Sequence, residues 1–488
     1  MKAGLKLIYN KKKAFLLVRR AGTNCRELVL VNSLTSCSTQ SFACMDRRKF
    51  LFNSALVGTS SLLAQCSRPL SAKDAPAEVA VSYETWDDIR KQFRLDPKRI
   101  HMTQMLLASH PQPVRDAIEK HRDLLDENPV DYYEYNVAKF EDAVREKAGA
   151  YMDVDPEEIA LTDSTTMGLA MLYHGLKLKA GEEILTTTHD HYSHEKAQEF
   201  AAAKNGAQIK RISLYDDPAR ATIDAMLGAL RRNITSKTRI VAVTHVHSWT
   251  GVKTPIGEIA AMVKEVNGSR SQKDRIYFCV DGVHGFGVED VNLTESGCDF
   301  FAAGTHKWIF GPRGTGVLYG RKDAWDMIAP IIPPFELPVY GAWMGQMAAW
   351  MGEKSDKPFT FHDLCTPGGF HSFEHRWALA EAFQWHSTIG KKRVEERTRA
   401  LSKRLKDGLS AISHVRLLTP KDGSLSSGIN CFLVNGQDPE ETVKRLLAKN
   451  ITASVTPYRA LYARLTPSIV NNEPEVDEVV KVVEGILV

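Results

Sequence analysis

Short apolar or β-branched runs recur through the chain with helical stretches between them. Ile159 to Thr162, Glu183 to Thr188, Ala207 to Leu214, Arg239 to His245, Arg275 to Val280, Cys298 to Ala303 and Gly316 to Tyr319 have the length and composition of buried strands. Met167 to Leu176, His194 to Lys204, Ala219 to Arg232 and Pro255 to Val266 show helical spacing. Strands alternating with helices predict a largely parallel sheet covered on both faces. Proline punctuates residues 330–338, and an aromatic, glycine-rich stretch runs on to Trp350. Beyond it, helices are predicted over Phe373 to Ile389 and Lys391 to Leu409. The tail combines strand-like runs at Gly428 to Val434 and Ile451 to Val455 with helices at Pro439 to Ala448 and Glu475 to Gly485, a smaller α+β domain. The expected division is an N-terminal segment over 76–129, a large domain over 130–370, and linking helices with the small domain over 371–488.

Charge separates the first 75 residues from the rest. The 488-residue chain has a formal charge of +4, but residues 1–44 hold eight Lys or Arg against one Glu and residues 45–73 five against one, so the body carries −7. An acidic body excludes the basic footprint of a nucleic-acid binder. Met45 begins Asp46, Arg47, Arg48, Lys49, Phe50, followed by a mildly apolar run to Ala64 that is too short to span a bilayer as a helix. Twin arginines ahead of such a run resemble a bacterial Tat signal. That implies export to the periplasm in a folded state, cleavage of the leader with no stable membrane span left, and a start at Met45 with residues 1–44 untranslated. Leu63 to Cys66 has the outline of a lipoprotein box, with Gln65 where a small residue is expected. Half of the eight cysteines, Cys25, Cys37, Cys44 and Cys66, lie in or before this leader; Cys279, Cys298, Cys365 and Cys431 are scattered without metal spacing.

In a parallel sheet, ligands bind beyond the carboxyl ends of the strands. Those ends carry Ser164, Thr165 and Thr166 after the first strand, His189 to Tyr192 after the second, and His247 to Gly251 after the fourth. Asp281, Gly282 and His284 follow the fifth, and Thr305, His306 and Lys307 the sixth. One composite site accounts for them. A lysine in a dry pocket beside another cation becomes a nucleophilic amine able to form a Schiff base, and His306 or Arg313 is the expected cation for Lys307. Asp281 suits the ring nitrogen of pyridoxal 5′-phosphate (PLP), which needs a carboxylate there to remain an electron sink. Ser164 to Thr166 open a helix whose free N–H groups suit a phosphate, or serve only as its cap.

These segments resemble the class V aminotransferase branch of the fold-type I PLP enzymes, isopenicillin N epimerase-like members above all, from about Ile100 to Val488. The resemblance rests on Val280 to Gly285, on His306-Lys307-Trp308 with Gly311 to Gly316, on Ser248-Trp249-Thr250-Gly251, and on Tyr462 to Asp477 with Arg464. It implies an α/β fold, with Lys307 holding PLP, Asp281 on the pyridine nitrogen and His191 stacked on the ring. Ser248 and His284 would lie near the ring, Ser164, Thr165, Thr166 and His306 near the phosphate, and Arg464 on a substrate carboxylate. It also implies a homodimer. Two departures stand out: Gly304 replaces a phosphate-binding Ser of desulfurase-like relatives, and Gly369-Phe370 replaces a Gly-Thr pair that would reach the partner's phosphate. The stretch Ile451 to Arg464 lacks the nucleophilic Cys of cysteine desulfurases, which argues against persulfide chemistry. The expected activity is PLP-dependent chemistry at the α-carbon of a small amino-acid-like substrate, by transamination or epimerisation. The alternatives are a C–S or β-elimination lyase and, from another class, a non-catalytic exported binding protein. Tyr192 and His247 are the candidates for a second base.

Overall fold

The computed structural model describes residues 6–10, 13–19, 26–31, 83–349 and 359–486. The twin-arginine segment and Cys66 lie outside the described residues. Two units are distinguished, Met1–Ala80 and Val81–Val488. In the first, Lys6–Asn10, Lys13–Arg19 and Arg26–Val31 pair as an antiparallel sheet. Among the described residues no helix is long and apolar enough to cross a membrane.

The second unit is built on a seven-stranded sheet: β1 (Ile159–Thr162), β2 (Glu183–Thr187), β3 (Gln208–Ile212), β4 (Thr238–Thr244), β5 (Tyr277–Asp281), β6 (Phe300–Gly304) and β7 (Gly316–Gly320), in the order β1-β7-β6-β5-β4-β2-β3. Only β7 runs against its neighbours, β6 and β1. Strand side chains alternate between the two faces, so each strand feeds two cores. Val241, Val243, Phe278, Val280 and Phe301 pack into one, while Ile240, Ala242, Cys279, Phe300 and Ala302 pack into the other. Burial on both faces is why these strands read as continuous apolar runs. Helices α1 (Gln112–Glu127) and α2 (Pro129–Met152) precede β1; α3 (Thr165–Gly175), α4 (Tyr192–Asn205), α5 (Ile223–Asn233) and α6 (Ile256–Asn267) fill crossovers.

A second sheet, antiparallel, holds β8 (Val415–Leu417), β9 (Asn430–Val434), β10 (Ser454–Val455) and β11 (Ala463–Leu465) in the order β8-β9-β11-β10. Its core of Phe432, Leu465, Leu405 and Val479 also takes in Met102 from the N-terminal segment.

Several expectations are corrected. The single strand over Ile451 to Val455 is two: Ile451–Thr452 pairs in parallel with Ile100–His101, and only β10 joins the small sheet. The helix expected from Ala219 starts at Ile223, because Thr222 caps it by accepting from the Ala225 N–H, and Pro218–Arg220 forms a separate turn. The stretch before Trp350 contains a helix, Leu337–Ala349.

Candidate active site

A cleft of about 750 Å³ opens at the carboxyl ends of β1, β2, β4, β5 and β6. All ten residues that the resemblance assigns to the cofactor or the substrate line it: Ser164, Thr165 and Thr166; His191 and Ser248; Asp281 and His284; His306, Lys307 and Arg464. The far wall comes from Pro457 and Tyr458, and the near rim from Met105 and Leu106 of the N-terminal segment.

Lys307 follows β6, its backbone carbonyl held by Gln104 Nε2 at 2.8 Å. Its Nζ lies 3.4 Å from His284 Nε2. Burial strips water from the ammonium and lowers its pKa to about 8; Asp281 opposes this and Arg464 reinforces it. The assisting cation is therefore Arg464, not His306 or Arg313. Burial, together with Lys307 and Arg313, itself pushes His306 down to about 4. His284, buried and facing Lys307 and Arg464, is held neutral, and its Nδ1 has no hydrogen-bond partner.

Asp281 ends β5 at 1% exposure. Its Oδ1 accepts the Val283 N–H at 3.2 Å. Burial raises its pKa against the pull of His194, Lys307 and His191. Gly282 lets the Phe301 ring pack against the backbone, since a Cβ there would overlap that ring.

The loop after β2 is anchored by buried Asp190. Its Oδ2 accepts from the Thr187 N–H (3.1 Å) and Oγ1 (2.7 Å), and its Oδ1 from the Thr244 N–H (3.1 Å) and Oγ1 (2.6 Å), tying β2 to β4. His194 Nδ1 stands 3.3 Å from Asp190, and its Nε2 meets the Tyr173 hydroxyl at 2.7 Å. Burial disfavours the Asp190 anion, yet His194 and these donors hold it well below the carboxylate range. With the loop fixed, His191 caps α4 by accepting from the Ser193 N–H, and its ring lies in the cleft. Tyr192, one residue on, is 68% exposed, and His247 is fully buried with Nδ1 2.8 Å from the Tyr215 hydroxyl. Neither lines the cleft, so neither serves as a second base.

Ser164 caps α3 by accepting from the Met167 N–H at 3.1 Å, and Thr165 Oγ1 accepts the Gly304 N–H at 2.7 Å. A Cβ on Gly304 would come within 3.0 Å of Thr165 Oγ1 and His306 Cε1, so the substitution of Gly for Ser makes room here. Arg464, on β11, is 3% exposed. It donates to the Ser248 carbonyl (2.7 Å) and Ser454 Oγ (3.0 Å), which orients its remaining N–H groups. The Ser248 hydroxyl meets the Tyr458 hydroxyl at 2.7 Å, and Tyr458 stacks on Trp249. Tyr458 and Thr244 are cleft residues that the sequence did not single out, and His189 was named only within its strand-end loop and given no role. The last two lie at strand ends, a signal that was present; Tyr458, in a loop of the small domain, offers none.

The aminotransferase class-V family model matches residues 108–456. The chain belongs to this family. Among its relatives are the probable cysteine desulfurase of Pyrococcus abyssi, 26% identical over 74% of this chain and 84% of that one, and the isopenicillin N epimerase of Streptomyces clavuligerus, 24% identical over 82% and 98%. In fold it is similar to a C-DES mutant with glycine covalently linked to its PLP cofactor, with a TM-score of 0.70 and 21% identity over 81% of this chain and 98% of that one. The architecture is that of fold-type I.

PLP is the cofactor of this class V family, and the cleft fits it in three places. A buried acid with one backbone partner, Asp281, suits the protonated ring nitrogen. An amine of lowered pKa, Lys307, suits the aldehyde. The start of α3, whose first N–H groups have no partner within the helix, suits the phosphate beside Thr165, Thr166 and His306.

Proposed function

We propose that this class V PLP-dependent enzyme works at the α-carbon of an amino acid or amino-acid-like substrate, by transamination or epimerisation. The supporting observation is that an amine of lowered pKa, a buried carboxylate and a buried arginine converge on one cleft. PLP, when bound, supplies an electron sink for the carbon attached to the substrate nitrogen. Lys307 would hold it, and with a pKa of about 8 its Nζ takes a proton and gives it back near neutral pH. His284, 3.4 Å away and neutral, orients that amine. Asp281 would accept the ring N–H, and His191 would cover the ring. Arg464, held by Ser248 and Ser454, presents its planar fork to the substrate carboxylate. Met105 and Leu106 form an apolar rim to the cleft.

A C–S or β-elimination lyase is the second reading. It needs the same amine and no catalytic thiol. Cys279, Cys298, Cys365 and Cys431 are all buried and none lines the cleft, which counts against sulfur transfer to a cysteine but not against elimination. Incubation with amino acids in D2O, following α-deuterium exchange, keto-acid formation, and ammonia or sulfide release, separates the three reactions. A non-catalytic exported binder is disfavoured by the retained amine and carboxylate. Borohydride trapping of the cofactor on Lys307 tests this, and a colourless protein that traps nothing would favour the binder.

We further propose that the enzyme is a homodimer and is exported through Tat. Phe370, 80% exposed where the family pair reaches the partner, is a natural contact. A monomer by light scattering would overturn the first proposal. Cytoplasmic retention of a reporter fused to residues 45–75, or export indifferent to Arg47→Lys with Arg48→Lys, would overturn the second.

A further inference from the structure

We infer that Glu336, His362 and Asp363 form a binding site for a divalent transition-metal ion, away from the cofactor cleft. Their donor atoms all lie within 4.8 Å of one another. His362 Nδ1 stands 4.0 Å from Glu336 Oε2 and 3.8 Å from Asp363 Oδ1. Like charges and lone pairs brought this close need something between them.

Two further observations point to a cation. The Asp363 side chain is 5% exposed, and its Oδ1 has no hydrogen-bond partner; its other oxygen, Oδ2, is occupied by the Thr360 N–H (2.8 Å) and hydroxyl (2.7 Å) in a capping box. His362 Nδ1, also buried, has no hydrogen-bond partner either. Leaving such atoms unpaired costs about 1–3 kcal/mol each, so two facing each other mark a ligand's place. The local charge is also unbalanced. Arg145 serves Glu141 at 3.9 Å, Asp142 at 2.5 Å and Glu336 Oε1 at 3.1 Å. Arg376 is shared between Glu141 at 3.4 Å and Asp163 at 3.1 Å. Two guanidinium groups, with His371 3.3 Å from Asp163, thus serve five carboxylates, counting Asp363. Because Arg145 engages only Oε1, Glu336 Oε2 remains for a metal.

One imidazole nitrogen with two carboxylate oxygens is a donor set for Zn2+ or Mn2+, with water completing the shell. Zn2+ bonds of about 2.1 Å put tetrahedral donors about 3.4 Å apart, so the two histidine–carboxylate pairs, now 4.0 and 3.8 Å apart, need close by about half an ångström and the carboxylate pair, within 4.8 Å, by no more than about 1.4 Å. Glu336 immediately precedes the helix Leu337–Ala349, whereas His362 and Asp363 lie in the short helix Phe361–Cys365. A bound ion would clip together the two ends of this excursion, where loop closure gains most.

The test uses the full chain saturated with PLP, so that the cleft histidines are covered, and Zn2+ as the probe after chelation and dialysis. Calorimetric titration should show a single high-affinity Zn2+ per chain and a rise in Tm on loading. His362→Ala and Glu336→Gln, neither of which touches the capping box, should each weaken binding about tenfold or more and abolish the Tm response, with PLP absorbance unchanged. No Zn2+ uptake by the wild type, or equal binding by both variants, would overturn the site. Should either variant fail to fold, Co2+ loaded into the wild type decides, since the visible band of a nitrogen- and oxygen-ligated ion must appear.

Discussion

Replacing Asp281 by Asn keeps the side-chain volume and the acceptor for the Val283 N–H, and removes one buried charge that acts on two partners. On Lys307 it acts upward: Asp281 raises the amine pKa against burial and Arg464. Without it the pKa falls below about 8. At pH 7 an amine of pKa 8 is about one-tenth free base, about 300-fold more than at the ordinary lysine value, so the variant's amine is at least as reactive. On the cofactor it acts the other way. A charge-assisted hydrogen bond to the ring nitrogen is worth about 1.5–3 kcal/mol, which at 1.36 kcal/mol per decade is about a 10- to 150-fold loss of turnover. Apo-protein at saturating PLP should therefore colour at an undiminished rate between pH 6 and 10, with the midpoint of its pH profile moved down. Substrate α-deuterium exchange should fall by the stated factor. Exchange at the wild-type rate, or a midpoint moved up, would refute the coupling of these two residues.

Apo-protein stability should rise with pH between about 8 and 10.5, because unfolded chains keep the Lys307 proton over that window and the native state does not. The Lys307 contribution is up to about 3 kcal/mol, and urea titrations should show the rise reduced in Lys307→Met to what Lys406, also lowered to about 8, supplies. Arg464→Lys should cut kcat/KM by about a hundredfold, mainly through KM, while leaving exchange with a substrate amine that lacks a carboxylate untouched; steady-state kinetics on the pair of substrates checks this. Gly282→Ala should cost about 1–3 kcal/mol and lower Tm as the Phe301 ring is displaced, with weaker PLP retention on gel filtration.

The sheet was legible because its strands are buried on both faces and end on polar residues: Thr162, Thr187, Thr244 and Asp281 are each the last residue of a strand and the start of a wall of the site. What was missed follows from local lengths. The strand carrying Arg464 has three residues, too few to show alternation, so only the family resemblance found it. Ile451 to Val455 reads as one extended run, yet its halves pair with strands of different sheets, a tertiary choice invisible to local pattern. His191 and Tyr192 are equivalent in composition, and only capping geometry turns one inward and the other out. The helix Leu337–Ala349 is masked by Gly341, Gly345 and the prolines before it.

The cleft reaches past the stretch on which membership rests. Residues 108–456 match the family, but Met105 and Leu106 stand before that span, and Pro457, Tyr458 and Arg464 after it. Ile100–His101 is meanwhile hydrogen-bonded to Ile451–Thr452, so the opening and closing parts of this polypeptide are sewn into one seam. Fragments cut at the family limits for expression, or chimaeras swapped there, would keep the lysine proposed to hold the cofactor while discarding the groups expected to recognise substrate.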